Sequence, residues 1–200
     1  MICLNNSLAI GQGSNRACYL YPGDENKCIK ITFGSNILES KKEEKYYKYL
    51  NNKKISWEQL AKYYGCENTD KGDGYIFEVI RDYNNEISKT LSYYLQNEER
   101  TRMIENPIVL LRELKEYLLT ENIMIKDFNT KNIMYKKTSS NHGKLVIIDG
   151  LSRNRIFSMA YISKYFSSKV ILKRYSCFYL SLFNKYKFNS YFIKLLKNSN

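Results

Sequence analysis

Pro22-Gly23-Asp24 restricts this chain more than any other stretch. Proline presets the backbone for the first corner of a turn, and glycine accepts the positive φ that the next corner demands. On either side stand short runs rich in β-branched and aromatic residues, "RACYLY" and "KCIKITF". The pattern predicts a β-hairpin. A second turn around Gly11 and Gly13 joins an earlier strand to it, so the first thirty residues predict three antiparallel strands.

The following segments switch period. "SNILESKKEEKYYKYLNNKK" predicts a helix over 36–51, with Asn36 as its cap and Ile37, Leu38, Tyr46, Tyr47 and Leu50 as its apolar members. Strands are expected near 61–68 and 75–81, around a turn from Asp70 to Gly74. Residues 87–99 read as helical. After Pro107, the residues Leu110, Leu111, Leu114, Tyr117 and Leu118 fall on one helix face. "KLVIID" predicts a buried strand from Lys144 to Ile148, ending at Asp149-Gly150. The last fifty residues contain neither Gly nor Pro and read as helical, with Leu182, Phe183, Tyr186, Tyr191, Leu195 and Leu196 as an apolar face. This order predicts an α+β chain in two segregated parts, residues 1–81 and 82–200.

Charge is distributed unevenly. Ten of the twelve net positive charges lie in residues 151–200, which carry no Asp or Glu. Such a tail attracts phosphate, nucleic acid or anionic lipid, or serves as a solvated basic surface. The five cysteines form no C-x-x-C pair, which argues against a structural zinc site or a disulfide framework. The single histidine, His142, sits in a polar stretch and reads as solvated. No run of about 18 apolar residues is present, so no transmembrane segment is expected. A cytoplasmic location is expected, with peripheral contact at the inner membrane face through the basic tail.

Several residue types recur in an order that bears on chemistry. Gly11-x-Gly13 lies in a turn between strands, where the missing side chains let backbone approach a phosphate. Arg16 stands where a third glycine would complete G-x-G-x-x-G. Lys30 lies among apolar neighbours in the next strand and points either to solvent or to a polar cleft. Glu43 or Glu44 on the following helix would bring it a carboxylate; Glu43 lies nearer the inward stripe. In "IMIKDFNTKNIMYKK", Asp127 and Asn132 would serve as proton acceptor and metal ligand, or belong to an ordinary Asx turn. Asp149 closes an apolar strand and is well placed for a metal.

The blocks "IGQGSNRACYLYPGDENKCIKI", "KKEEKYYKYL", "GYIFEVIRDYN", "IMIKDFNTKNIMY" and "LVIIDG" resemble, in this order, the bacterial YrbL family (PhoP regulatory network protein YrbL) and, more broadly, the protein-kinase-like superfamily. That resemblance covers nearly the whole chain. It implies a compact bilobal protein-kinase-like fold: an antiparallel N-terminal sheet plus one helix, then a reduced, mostly helical C-terminal lobe. It implies ATP and Mg²⁺ as cofactors. Lys30 would meet the α- and β-phosphates with Glu43 as its helix partner, and Gly11 and Gly13 would lie over the nucleotide. The segment from Glu78 through Ile80 to Arg81 would be a hinge offering backbone to adenine. Asp127 would be the catalytic base, and Asn132 and Asp149 the Mg²⁺ ligands.

The departures matter as well. Ile125-Lys126 precedes Asp127, without the Arg that anchors a phosphorylated activation loop. Asp149-Gly150 replaces D-F-G, and no A-P-E follows. The expected activity is ATP-dependent phosphotransfer to an unidentified acceptor. The alternative is a nucleotide-binding pseudokinase or regulatory module whose basic surface meets an anionic partner.

Overall fold

The computed structural model describes residues 1–13, 15–151 and 164–198. They form two compact units, one of residues Met1–Trp57 and Ala61–Ile80, the other of Glu58–Leu60 and Arg81–Asn200. The chain is of the α+β class, with antiparallel sheets and, among the described residues, six α-helices.

The first unit is built on a five-stranded antiparallel sheet of order β1-β2-β3-β5-β4. Its strands are β1 (Ala9–Gln12), β2 (Arg16–Tyr21), β3 (Asp24–Thr32), β4 (Tyr63–Thr69) and β5 (Gly72–Glu78). The hairpin expected at Pro22-Gly23 joins β2 to β3, and Gly23 takes φ +81° there. Ala17, Tyr19, Ile29 and Ile31 alternate onto one face and pack with Leu4 and Ile76. The second hairpin turns at Asp70-Lys71, tighter than the expected turn through Gly74. Gly74 lies inside β5, where a Cβ would stand 2.6 Å from Ile29 Cγ2, so it serves close packing.

Helix α1 (Ile37–Lys53) buries Tyr46, Tyr47 and Leu50 completely. The Tyr47 ring meets Phe77 edge-on at 5.0 Å and Tyr63 at 5.6 Å. Burial of each such side chain contributes about 2 kcal/mol. Two expectations for this helix need correction. Asn36 makes no side-chain capping bond, because a 3-10 turn (Gly34–Asn36) feeds directly into the helix. Ile37 and Leu38 are exposed, since the inward stripe starts one turn later at Ser40 and Glu43.

The second unit holds a three-stranded sheet, β6 (Lys89–Thr90), β7 (Ile133–Lys137) and β8 (Gly143–Ile147). Glu58–Leu60 joins its edge: Ile147 N donates to Gln59 O at 2.9 Å, and Gln59 Nε2 donates to Leu145 O. The helices are α2 (Leu91–Leu95), α3 (Glu98–Arg102), α4 (Pro107–Glu121), α5 (Lys164–Lys185) and α6 (Ser190–Lys197). The single helix expected over 87–99 is in fact a short strand and two helices. Thr90 caps α2, and Asn97, in extended backbone, caps α3 by accepting from Arg100 N at 2.9 Å. Short polar side chains favour such caps over helix interiors, and Asn97 breaks the run.

Helix α4 follows the expected pattern. Asn106 caps it, Pro107 sits in its first turn, and Leu110, Leu111, Leu114 and Leu118 are buried. Asn122 then adopts φ +53°, which ends the helix and turns the chain into buried Ile123-Met124-Ile125. In the last part, Leu182, Tyr186 and Leu196 are buried as expected, whereas Phe183, Tyr191 and Leu195 are only half-buried. Phe192, absent from the expected face, is fully buried. No described helix is long and apolar enough to cross a membrane.

Candidate functional site

The chain leaving α4 enters a tight polar loop, Lys126–Asn132. Its end is a 3-10 turn (Thr130–Asn132) capped by the Asn129 side chain, which accepts from Lys131 N at 3.2 Å. Just beyond β8 stand Asp149 and Gly150. Lys126 N and Asp127 N both donate to Gly150 O, at 2.9 and 3.1 Å, and Ile148 N donates to Asn132 O at 2.9 Å. The two segments are thus zipped together by main-chain bonds on both sides.

The side chains complete this arrangement. Asn132 Nδ2 donates to Asp127 O at 3.1 Å and to Asp127 Oδ2 at 3.0 Å. Gly150 N donates to Asp149 Oδ1 at 2.8 Å. Gly150 has φ +90°, and a Cβ there would overlap the Asp127 carbonyl oxygen and stand 3.1 Å from Asn132 Nδ2. Glycine at this position is what allows the strand end and the loop to approach so closely. Asp127, Asn132 and Asp149 therefore share one small region of the second unit.

The Asp149 carboxylate and the Asn132 amide oxygen are oxygen ligands of the kind a hard cation takes. Asn132 Nδ2 is engaged by Asp127, which leaves the amide Oδ1 as that residue's acceptor atom. Asp127 is exposed.

Helix α5 supports the loop from below. Lys185 Nζ donates to Asn129 Oδ1 and Thr130 Oγ1, each at 3.0 Å. Thr130 Oγ1 and Tyr186 OH share a hydrogen bond of 2.6 Å, and Tyr186 OH donates to Ser92 Oγ at 3.2 Å. The Phe128 ring stacks on Phe178 at 4.2 Å, and Arg174 Nη1 donates to Lys126 O at 3.4 Å. Two of the basic residues read as a surface for an anionic partner thus have internal work. Thr130 and Tyr186 lie 56 positions apart, and nothing in the local sequence signals their meeting. Tyr186→Phe keeps the buried ring but removes both bonds of its hydroxyl. The expected loss is about 1–3 kcal/mol of unfolding free energy, read from a urea titration. An unchanged midpoint with unchanged slope would show that this network does not hold the loop.

The first unit contains the remaining candidates. Lys30 is 7% exposed, opposite Cys18 and Tyr75 in register, with Nζ 4.3 Å from the Phe77 ring centroid. Glu43 is buried and takes Arg16 as an ion-pair partner, Nη2 to Oε2 2.8 Å. Arg16 also donates to Ser40 Oγ at 3.1 Å and to Thr32 Oγ1 at 3.2 Å. The residue that departs from the glycine pattern therefore ties β2 and β3 to α1, a role that local reading did not supply. Apart from its chain neighbours, no described atom lies within 4 Å of a Cβ built on Gly11, which sits within β1 rather than in the turn, and Gly13 would meet only Arg16 O at 3.7 Å. The chain's own packing does not require glycine at either place. Glu78 ends β5, exchanging bonds with Lys62, and Ile80 is buried just beyond it. His142 is exposed and its Nδ1 lies 2.6 Å from Glu105 Oε2.

Comparison with known proteins gives one group of relatives. A family model described as PhoP regulatory network protein YrbL matches residues 2–182. The uncharacterized protein YrbL of Escherichia coli (strain K12) is 30% identical over 168 residues, which cover 82% of this chain and 80% of the relative. The protein of the same description from Shigella flexneri matches with the same identity and coverage.

Proposed function

We propose that this chain, which belongs to the YrbL family, is a kinase-like phosphotransferase using ATP and Mg²⁺. The reading includes the kinase-like fold expected from the motif order. The observation that carries it is the joined loop and strand end: Asn132 bridged to Asp127, with Asp149 held beside them through Gly150. Asp127 takes the proton of an acceptor hydroxyl through its exposed carboxylate. Asn132 Oδ1 and the Asp149 carboxylate hold Mg²⁺, which when bound offsets charge on the phosphates. In the first unit, Lys30 binds phosphate oxygens, and the unfilled space at Gly11 and Gly13 admits a phosphate group close to the backbone. Glu78 and Ile80 contribute to adenine binding.

One observation favours a second reading. Arg16 stands where a third glycine would complete G-x-G-x-x-G, and it is tied to α1 through Glu43 and Ser40. A chain that binds nucleotide as a regulatory module, without turnover, accommodates that arrangement.

The test is a thermal melt with ATP, in Mg²⁺ and in chelator, on the parent chain and on Lys30→Met and Asp149→Asn. ATP at about a hundred times its Kd stabilises by about 2.7 kcal/mol. The expected result is a clear rise in Tm with Mg²⁺-ATP, lost in Lys30→Met and insensitive to Mg²⁺ in Asp149→Asn. No rise in the parent at millimolar Mg²⁺-ATP overturns both readings. A rise without phosphate transfer to any hydroxyl, water included, leaves only the second.

A further inference from the structure

Helix α5 carries Lys164, Lys169, Lys173, Arg174 and Lys185 and no acidic residue. Its buried side is Ser167, Ile171, Phe178 and Leu182. At helical spacing, Tyr165, Lys169, Leu172, Lys173 and Leu180 fall together on the opposite side, with Phe166 at its edge. The four apolar members are between 43% and 65% exposed, although helices normally turn such residues inward. Lys169 Nζ lies 4.3 Å from the Tyr165 ring centroid, so cation and aromatic ring form one surface.

A groove of about 440 Å³ runs along this face between α5 and α4. Arg112 and Lys115 of α4 form one wall, and Tyr175, Ser176, Tyr179 and Leu180 of α5 the other. Helix α4 also carries two acids in this stretch, Glu113 and Glu116, and Glu116 Oε1 lies 3.2 Å from Lys115 Nζ. Arg112 and Ser176 are exposed and bring a guanidinium and a hydroxyl to the groove. Arg174 and Lys185, which hold the Lys126–Asn132 loop, lie off this face and are not part of it.

We propose that this face of α5, with the adjoining groove, docks on an anionic phospholipid surface. Lysines and Arg112 meet headgroup phosphates, while Leu172, Leu180, Tyr165 and Phe166 enter the boundary of the acyl chains. Charge complementarity selects an anionic surface. The central leucines select lipid over nucleic acid, because a leucine gains little against a phosphate backbone that a lysine already contacts. Residues 152–163, including the basic Arg153 and Arg155, lie outside the described residues and do not enter the proposal. It is independent of the phosphotransferase reading.

The experiment is cosedimentation of the full chain with vesicles of phosphatidylcholine alone and of phosphatidylcholine mixed with phosphatidylglycerol. Variants Lys169→Glu/Lys173→Glu and Leu172→Ser/Leu180→Ser are compared, each first checked by circular dichroism and thermal melt. All four positions are exposed, so parent-like folding is expected. The parent should bind anionic vesicles and not zwitterionic ones. The charge-reversed variant should bind roughly tenfold or more weakly. The serine variant should also weaken at unchanged net charge. No retention on anionic vesicles at low salt overturns the proposal. So does a serine variant that binds as the parent does, particularly if both then retain single-stranded or duplex nucleic acid in a salt-sensitive way. Self-association of the parent that the serine variant loses, without vesicle binding, overturns it in favour of a second copy.

Discussion

Asp127→Asn should lower phosphate transfer from ATP at least about a hundredfold while leaving the fold and nucleotide binding in place. A factor of a hundred corresponds to about 2.7 kcal/mol of transition-state stabilisation, the lower end of what a positioned general base supplies. The substitution is chosen for its small structural cost. Asp127 is exposed, and an asparagine there still presents an oxygen to Asn132 Nδ2. Stability should therefore stay within about 0.5 kcal/mol of the parent. The measurement is γ-phosphate release or transfer, alongside a melt with and without Mg²⁺-ATP. Parent-like turnover in the variant removes Asp127 from the chemistry. Loss of ATP binding together with turnover reassigns it from base to ligand.

Gly150→Ala should strongly destabilise the second unit. Two costs act together. Alanine at φ +90° is strained by about 1–2 kcal/mol. Its Cβ would also overlap the Asp127 carbonyl oxygen, a backbone atom that cannot rotate aside. Relief requires the strand end to leave the loop, with loss of the Lys126 N and Asp127 N bonds to Gly150 O. Each of those contributes about 1 kcal/mol. The total is about 3–4 kcal/mol, a large part of the stability of an ordinary domain. It should appear as a lowered unfolding midpoint and faster hydrogen exchange at Lys126, Asp127 and Ile148. Gly11→Ala is the control: with open space at its Cβ it should cost under about 1 kcal/mol. Equal stability of Gly150→Ala and the parent would show that the loop and strand end are not locked as described.

Both predictions concern residues that the sequence makes visible to different degrees. Asp127, Asn132 and Asp149 stand out because polar side chains between two apolar runs form a local, readable pattern. Gly150 reads only as a companion of Asp149, since its importance lies in what a Cβ would strike across 23 positions of chain. Arg16 reads as a defect in a glycine motif. In the folded unit it is a cation that ties two strands to Glu43 of a helix. The helix expected over 87–99 failed for a related reason. The run there has only weak helix propensity, and the cap that the Asn97 side chain makes on Arg100 N is stronger, so one helix ends before it and another begins after it.

The sequence by itself determined the antiparallel hairpins, the amphipathic α4, the α+β class and the order of the candidate residues. These follow from turn chemistry and side-chain period, which act over a few neighbours. Only the tertiary structure decided which charges are engaged. It set Arg16 on Glu43, Lys185 and Arg174 on the loop, and Lys169 and Lys173 outward beside exposed leucines. The physical reason is that a charged side chain has no period of its own. Its partner is whatever the packed elements bring within about 3 Å, and that distance exists only after folding.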